Sequence, residues 1–367
     1  MRHKHKQYDT VLFLLSAIIL IAGMFMFASS AISQVGEGAQ SLFSILLRQF
    51  GLGVGLGIIA FLIVSRIQYS VWRKIALPFL LASLALLALV FVPDIGVRAG
   101  GASRWVSVGP ISFQPAELFK LAFVIYLASW FVSHKNEITS FSRGLLPFLL
   151  MMGVVSIFFI LQPDIGTLAV IIVSAIVLFF IAGGRLFHLA IAFGITVLLI
   201  AGLALSEPYR FERLQVFFKP QSDIQNAGYQ IHQSLIAVGS GGFEGKGFGQ
   251  GVQKFHYIPE PLGDSIFAVV GEEMGFVGGT FLIGLFLAFL WRAIRLLAAV
   301  PDRFARLMGS GIVIIIVFQS FVNIGGSIGL IPMTGIPLVF MSQGGTSLAV
   351  TLAGMGILFN ISRYAKA

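Results

Sequence analysis

The chain contains no cysteine among its 367 residues, which excludes disulfide staples and thiolate chemistry alike. Charge is nearly as scarce: Asp, Glu, Lys and Arg together make 11%. A soluble domain of this length cannot be built on so little polarity. With 57% hydrophobic residues and a mean hydropathy of +0.96, the class is an all-α polytopic membrane protein. No repeat of solenoid period and no separate soluble domain stand out, so residues 1–367 read as one transmembrane unit. A cleavable signal peptide is not expected. The basic tail Met1–Lys6 leads into an apolar run, Val11 to Ala31, too long for a signal-peptide core. Nor does the net charge of +9 point to nucleic acid, because most of it lies in short loops, where it sets topology.

What the chain has instead is ten apolar runs: 11–31, 46–65, 75–92, 116–132, 145–161, 165–182, 186–206, 265–290, 307–328 and 343–361. The fifth and sixth are parted by Gln162-Pro163-Asp164, where proline forces a tight turn. With the N-terminus inside, fifteen of the 24 Lys and Arg fall in inner segments. Five more (Arg210, Arg213, Lys219, Lys246, Lys254) sit in the long loop 207–264 between spans seven and eight, where charge counts for little. Arg48, Arg98, Arg104 and Lys120 remain for the rest of the outer side. The split places both termini in the cytoplasm and the large loop outside.

Polar groups at the edge of spans are costly and mark function by default. Nearly all of them lie on the outer side. The second outer loop brings Arg98, Gly100, Gly101, Arg104 and Trp105, then Gln114, Glu117 and Lys120. Glu117 and Lys120 are three apart and share a helix face, either as a simple ion pair or as an inward-facing pair. Asp164 opens a helix after a proline, as a first-turn acid or a substrate contact. Asp264 stands where the long loop re-enters the membrane. Capping is its bland role, and a carboxylate that caps can still act at a cleft. Glu272 and Glu273 lie further along the same helix and must be paired, protonated or wet. Locking to neighbours through Lys120 or Arg104 is one reading. Gly271, Gly275 and Gly279 give that helix a close-packing face.

The run Gly239-Ser240-Gly241-Gly242-Phe243-Glu244-Gly245-Lys246-Gly247-Phe248-Gly249 has the backbone freedom to cradle a phosphate. It lacks the lysine-Ser/Thr ending of a nucleotide loop and follows no strand. Lys254 is a candidate for an anionic headgroup, and His256 reads as a surface histidine. The last outer loop, 325–347, is rich in Gly and Pro, as non-helical backbone lining a cavity is. These features describe an outward-facing polar site for an anionic, membrane-associated substrate. They do not name the reaction.

At these residues the chain resembles a known family. GYQIHQSLIAVGSGGFEGKGFGQGVQKFHYIPEPLGDSIFAVVGEEMGFVGG, GASRWVSVGPISFQPAELFKLA, QPDIGT and GLIPMTGIPLVFMSQGGTS are similar to the motifs of the SEDS family (FtsW, RodA, SpoVE), in family order over nearly the whole chain. The resemblance implies a peptidoglycan glycosyltransferase of the bacterial plasma membrane. Such an enzyme polymerises lipid II at the outer face, alongside a class B penicillin-binding protein. Gln253-Lys254 and GPISFQPAELFK lean toward the division branch over the elongation branch. The resemblance implies Asp264 as catalytic base, with Arg104, Trp105, Glu117, Lys120, Asp164, Gln233, Lys254 and Glu273 as the substrate-binding set. Arg104, Lys120 and Lys254 would meet pyrophosphate charge, with Glu117 orienting Lys120. The resemblance makes no cofactor certain. A divalent cation, Mg or Mn, is compatible with the reaction, but no ligand cluster of metal-site spacing is evident.

Two departures stand out. Leu262-Gly263 replaces the family's His-Thr before the aspartate, and Ser342-Gln343-Gly344-Gly345 replaces Ser-Tyr-Gly-Gly. Two other classes of function fit a ten-span polar cavity: a lipid II flippase, and a non-catalytic scaffold for a penicillin-binding protein. The short basic inner loops disfavour the first, since a flippase needs polar access on both faces. Retention of Asp264 disfavours the second. The charge split also sets a test of orientation. In this cysteine-free chain, Ser222→Cys is expected to react with an impermeant thiol reagent in intact cells. Reaction after permeabilisation alone would invert the topology.

Overall fold

A backbone among apolar side chains must satisfy its own hydrogen bonds, so the apolar runs become helices. The computed structural model describes residues 8–34, 42–99, 102–108, 111–205, 208–218, 228–255 and 257–366. Gly100, Gly101, Ser222 and His256 lie outside them, as do Arg2, Lys4, Lys6 and Lys219 of the charge split. The helices are α1 (Thr10–Gln34), α2 (Leu42–Arg66), α3 (Tyr69–Phe91), α4 (Pro115–Ser133), α5 (Phe141–Leu161), α6 (Ile165–Ile181) and α7 (Leu186–Leu205). Two short helices of the large loop follow, α8 (Pro208–Phe218) and α9 (Tyr229–Ser240). Then come α10 (Ile266–Ala298), α11 (Arg303–Ser327) and α12 (Gly345–Ser362). Among the described residues nine helices are long and apolar enough to cross a membrane, and the 17-residue α6 is a shorter tenth. The chain is a multi-pass membrane protein.

Helices α4 and α11 are the most enclosed, while α2 and α7 lie at the periphery. Buried phenylalanines fill the interior, among them Phe119, Phe131, Phe148, Phe159 and Phe179. Both chain ends meet on one face. Asp9 accepts from Arg292 Nε at 3.1 Å, Tyr8 stacks on Phe359, and Lys366 N–H donates to the Ala299 carbonyl. On the opposite face the fold is not purely helical. A three-stranded antiparallel sheet forms from β1 (Gly96–Ala99), β2 (Ala102–Val108) and β3 (Ile111–Phe113). The β-branched and aromatic residues Trp105, Val106, Val108, Ile111 and Phe113 favour strands, and Val106 is wholly buried.

Helix α10 is the other departure from a plain span. It breaks at Gly275, whose φ of 63° and ψ of −162° are not helical. The first segment, 266–274, carries Glu272 and Glu273. The membrane-crossing segment runs on to Ala298, beyond the 290 expected. A break frees backbone groups that need partners. The glycine-rich run supplies them. Lys246 and Gly247 N–H donate to the Glu272 and Glu273 carbonyls, both at 3.0 Å. Phe276 and Val277 N–H donate to the Gly242 and Phe243 carbonyls at 2.9 and 3.2 Å. The contact is tight: a Cβ on Gly275 would lie 2.3 Å from Gly245 N, and one on Gly245 would lie 2.2 Å from the Glu273 carbonyl oxygen. Of the expected close-packing face, Gly271 packs on Val238 of α9 and Gly275 on this loop.

Gly275→Ala is therefore expected to destabilise the protein by more than the about 1–3 kcal/mol of backbone strain alone. The melting temperature in detergent should fall. Gly284→Ala on the same helix meets nothing within 4 Å and should leave it unchanged.

Candidate active site

The site grows from one face of α11. Gln319 and Asn323 are four residues apart on it, both buried. Gln319 accepts from Lys120 Nζ at 2.6 Å and donates to the Pro337 carbonyl at 3.0 Å. Asn323 Nδ2 donates to the Ile336 carbonyl and to the Asp264 carbonyl, each at 2.7 Å. Two amides thus hold the irregular 334–337 segment and the end of the large loop against one helix. Neither residue was singled out from the sequence, although buried amides at helical spacing inside a span are themselves a functional signal.

Asp264 is half-buried at a cleft lined by Asn323, Gly326, Met333, Thr334, Gly335 and Ile336. Its Oδ1 accepts from Gln230 Nε2 of α9 at 2.9 Å. Its bland role fails: the residue at the N-cap of α10 is Ser265, which makes no side-chain capping bond. Asp264 precedes the cap and is aimed by Gln230 and Asn323 instead. The two places of departure from the family pattern meet here. Ser342 Oγ donates to the Gly263 carbonyl and Gln343 N–H to the Leu262 carbonyl, each at 2.6 Å. Gln233 lies nearly a turn beyond Gln230 and is half-buried. It is Gln230 that reaches the aspartate.

Glu117 and Lys120 form their ion pair at 2.8 Å, both buried. Glu117 also accepts from Ser347 Oγ at 3.0 Å, so the pair joins α4, α11 and α12. It lines a small crevice of about 30 Å³ with Ile316, Gln319, Val339 and Thr351. Gln319 and Asn323 connect this pair to Asp264 through residues 336 and 337, so the two clusters lie about one helical turn apart. On the other flank, Arg104 of β2 donates to the Pro163 carbonyl. Asp164 caps α6 through Thr167 N–H at 3.2 Å, which makes it the cap and not a first-turn acid. Its Oδ2 and Arg104 Nε are buried without a hydrogen-bond partner. The Asp164 turn reaches the cleft wall, since a Cβ on Gly166 would lie 2.7 Å from the Thr334 carbonyl oxygen. Trp105 lies in β2 opposite Val97.

Lys254 and Glu273 stand apart from this group. Both are fully enclosed and pair at 2.6 Å. Lys254 also donates to Ser29 Oγ, the Ser29 carbonyl and the Gly249 carbonyl, at 2.8 to 3.1 Å. Glu273 accepts from Ser29 Oγ at 2.7 Å and from Gly249 N–H at 2.9 Å. Every charge is answered, so Lys254 has nothing left for a headgroup. Glu272 binds Lys246 at 2.6 Å and the N–H groups of Val252 and Gln253. The helix lock expected of these acids exists, but it runs through Lys246, Lys254 and Ser29 and not through Lys120 or Arg104. Within the glycine-rich run 239–249 a single backbone N–H, that of Gly249, meets an anion, and that anion is the protein's own Glu273 carboxylate.

Among the described residues no three metal-ligating side chains gather. The cleft offers one carboxylate among amides and carbonyls, which does not by itself make a divalent-cation site. The lock yields a test. Lys254→Met leaves Glu273 buried and unpaired, at a cost of about 3–5 kcal/mol, whereas the double change Lys254→Met with Glu273→Leu should recover most of it. Thermal unfolding of the purified variants reads this. A stable Lys254→Met protein with lost turnover would return Lys254 to substrate binding.

Residues 9–367 match the family model of FtsW, RodA and SpoVE, described as cell cycle proteins. Stage V sporulation protein E of Bacillus subtilis (strain 168) is 38% identical over 366 residues, covering 100% of both chains. A probable peptidoglycan glycosyltransferase FtsW of Geobacter sp. (strain M18) is 37% identical, covering 97% of this chain and 96% of its own. Among solved structures, a chain of a peptidoglycan synthase complex that coordinates polymerization and crosslinking superposes with a TM-score of 0.79 at 32% identity, covering 98% of this chain and 99% of its own. The rod shape determining protein RodA of Thermus thermophilus gives 0.71 at 31%, covering 98% of each.

Proposed function

This chain belongs to the FtsW, RodA and SpoVE family of cell cycle proteins, and we propose that it is a peptidoglycan glycosyltransferase that polymerises lipid II, the undecaprenyl-pyrophosphate-linked disaccharide peptide. The observation that carries this reading is the setting of Asp264. A carboxylate at the mouth of a cleft, oriented by Gln230 and with its backbone fixed by Asn323, is built to act on something outside the fold.

In the proposed reaction Asp264 takes the proton from the 4-hydroxyl of the acceptor sugar. That oxygen bonds to the anomeric carbon of the donor, and the bond from that carbon to pyrophosphate breaks. The lipid pyrophosphate leaves, with inversion at the anomeric carbon. Negative charge then grows on the leaving group and calls for a cation. Arg104 is the best placed of the expected cations, because its Nε is buried without a partner while Lys120 and Lys254 are each engaged with a glutamate. Asp164, with one oxygen unpartnered beside it, suits a sugar hydroxyl or amide. Glu117 and Lys120 position the α11 amides that hold the cleft.

The site is proposed to face outward. The charge split supports this, as does the meeting of both chain ends on the face away from Asp264. A class B penicillin-binding protein is the proposed partner, supported by likeness to a chain of a peptidoglycan synthase complex. Division in preference to elongation rests on Gln253-Lys254 and GPISFQPAELFK.

Purified protein given lipid II in proteoliposomes should form glycan chains. Asp264→Asn keeps the size and the oxygen that accepts from Gln230 but cannot take a proton. Polymerisation should fall about two to four orders of magnitude. Because Ser265 and not Asp264 holds the cap position, folding should be unaffected. Wild-type turnover by Asp264→Asn would remove the base role and move the search to Glu117 or Asp164.

A further inference from the structure

Helices α1 and α10 run side by side and are fastened at two heights. At one end Arg292 Nη2 meets Asp9 Oδ2 at 2.5 Å. At the other, Ser29 meets Glu273 and Lys254. Between these fastenings each helix rises about 30 Å, which matches the hydrocarbon thickness of a bilayer. Trp291, with the Arg295 guanidinium 4.1 Å from its ring centroid, is an interfacial aromatic at the first boundary. The Ser29, Lys254 and Glu273 cluster therefore marks the second boundary, and the break at Gly275 lies at the same height.

The glycine-rich run docks at that height with its aromatic tips turned outward. Phe243 is 67% exposed and stacks on Phe276, with ring centroids 5.9 Å apart. Phe248 is 49% exposed and meets Phe25 edge-on at 6.3 Å. Phe25 is four residues nearer the membrane centre than Ser29, a depth of about 6 Å inside the boundary. Phe25, Phe276 and Phe281 are exposed on spanning helices, so the two loop rings extend the lipid-facing belt without a gap. Part of the loop backbone is also paired within the protein. Gly245, Lys246, Gly247 and Gly249 N–H all donate within the protein, and the Gly242 and Phe243 carbonyls both accept.

We propose that residues 242–248 form a membrane wedge. Phe243 and Phe248 insert among the acyl chains of the leaflet opposite the chain termini, with Glu244 and Lys246 at headgroup level. A loop built to be solvated has no need to face two phenylalanines outward beside lipid-facing helices and to pair its backbone inward. Because Lys254 ties the same loop to Glu273, the wedge sets the height at which the hairpin ending in Asp264 stands above the lipid.

The native chain has no cysteine, so single-site labelling of the full protein is direct. Phe243→Cys and Phe248→Cys, each carrying a nitroxide, would be placed in phosphatidylglycerol–phosphatidylcholine vesicles. Collision with oxygen and with a water-soluble nickel chelate would then be read by power saturation. Phe281→Cys serves as the lipid-facing reference and Glu260→Cys as the water-facing one. Both loop sites should match the Phe281 reference, with position 248 the deeper. A match to the Glu260 reference overturns the wedge. Shielding from both reagents overturns it too, in favour of a protein contact. A second measurement uses the unsubstituted protein. A phospholipid with a diazirine in its acyl chain should photolabel Phe243 and Phe248, and labelling confined to the spanning helices would refute insertion.

Discussion

Two adjacent carboxylates buried at a broken helix govern the half of this protein opposite the chain ends. Glu272 and Glu273 cannot stay charged in an apolar bundle without close cations and donors. Lys246 and Lys254 answer them, and both lie in the large loop. The charge requirement therefore recruits the loop, and the loop backbone completes the hydrogen bonds that Gly275 leaves open. One need satisfies the other. Ser29 extends the arrangement to α1, so the loop, α10 and the first helix are set in one geometry.

That geometry positions the site without taking part in it. Lys254 ends the anchored part of the loop, and the chain from there to Asp264 closes against α11. Asn323 holds the aspartate's backbone and Gln230 holds its side chain, so the carboxylate is restrained from two sides. Gln319, one turn away on α11, does the same for the Glu117 and Lys120 pair. Polar groups on the core helix thus act as a ruler. They fix the spacing between the charged pair and the aspartate within a membrane, where a misplaced charge is costly. The two substitutions relative to the family pattern sit at one contact, where Ser342 and Gln343 bond the Gly263 and Leu262 carbonyls. The loop carrying Asp264 and the loop before α12 are joined there.

The charges of the site differ in how fully they are engaged. Lys254, Lys246 and Lys120 each face a carboxylate within 2.8 Å. Arg104 and Asp164 keep a buried atom each without a partner, on the cleft flank formed by β2 and the turn before α6. Unsatisfied buried polar atoms are uncommon in a well-packed fold and are expected where a ligand completes the bonding. Arg104 and Asp164 thus each combine one contact that holds the fold with one buried atom without a partner.

Hydropathy alone determined that the chain is a multi-pass helical membrane protein, with nine helices long and apolar enough to cross a membrane among the described residues and α6 a shorter tenth. This follows from local composition, because each apolar run must become a helix in lipid. The motifs fixed the family, and the Glu117–Lys120 pair was legible because three-residue spacing on a helix brings side chains together whatever surrounds them. The sheet around Trp105 has only a weak local signature, β-branched and aromatic residues without strict alternation. Partners distant in the chain had no such signature. That Lys254 meets Glu273 and not a headgroup, that the glycine run closes on Glu272 and Glu273, and that Asp264 leaves the cap to Ser265 were decided by the tertiary structure. So was the contact of Gln230, and not Gln233, with the aspartate. Burial is the reason: a residue's charge is spent on whatever the fold places beside it, and that neighbour is set by packing between helices, which no local pattern encodes.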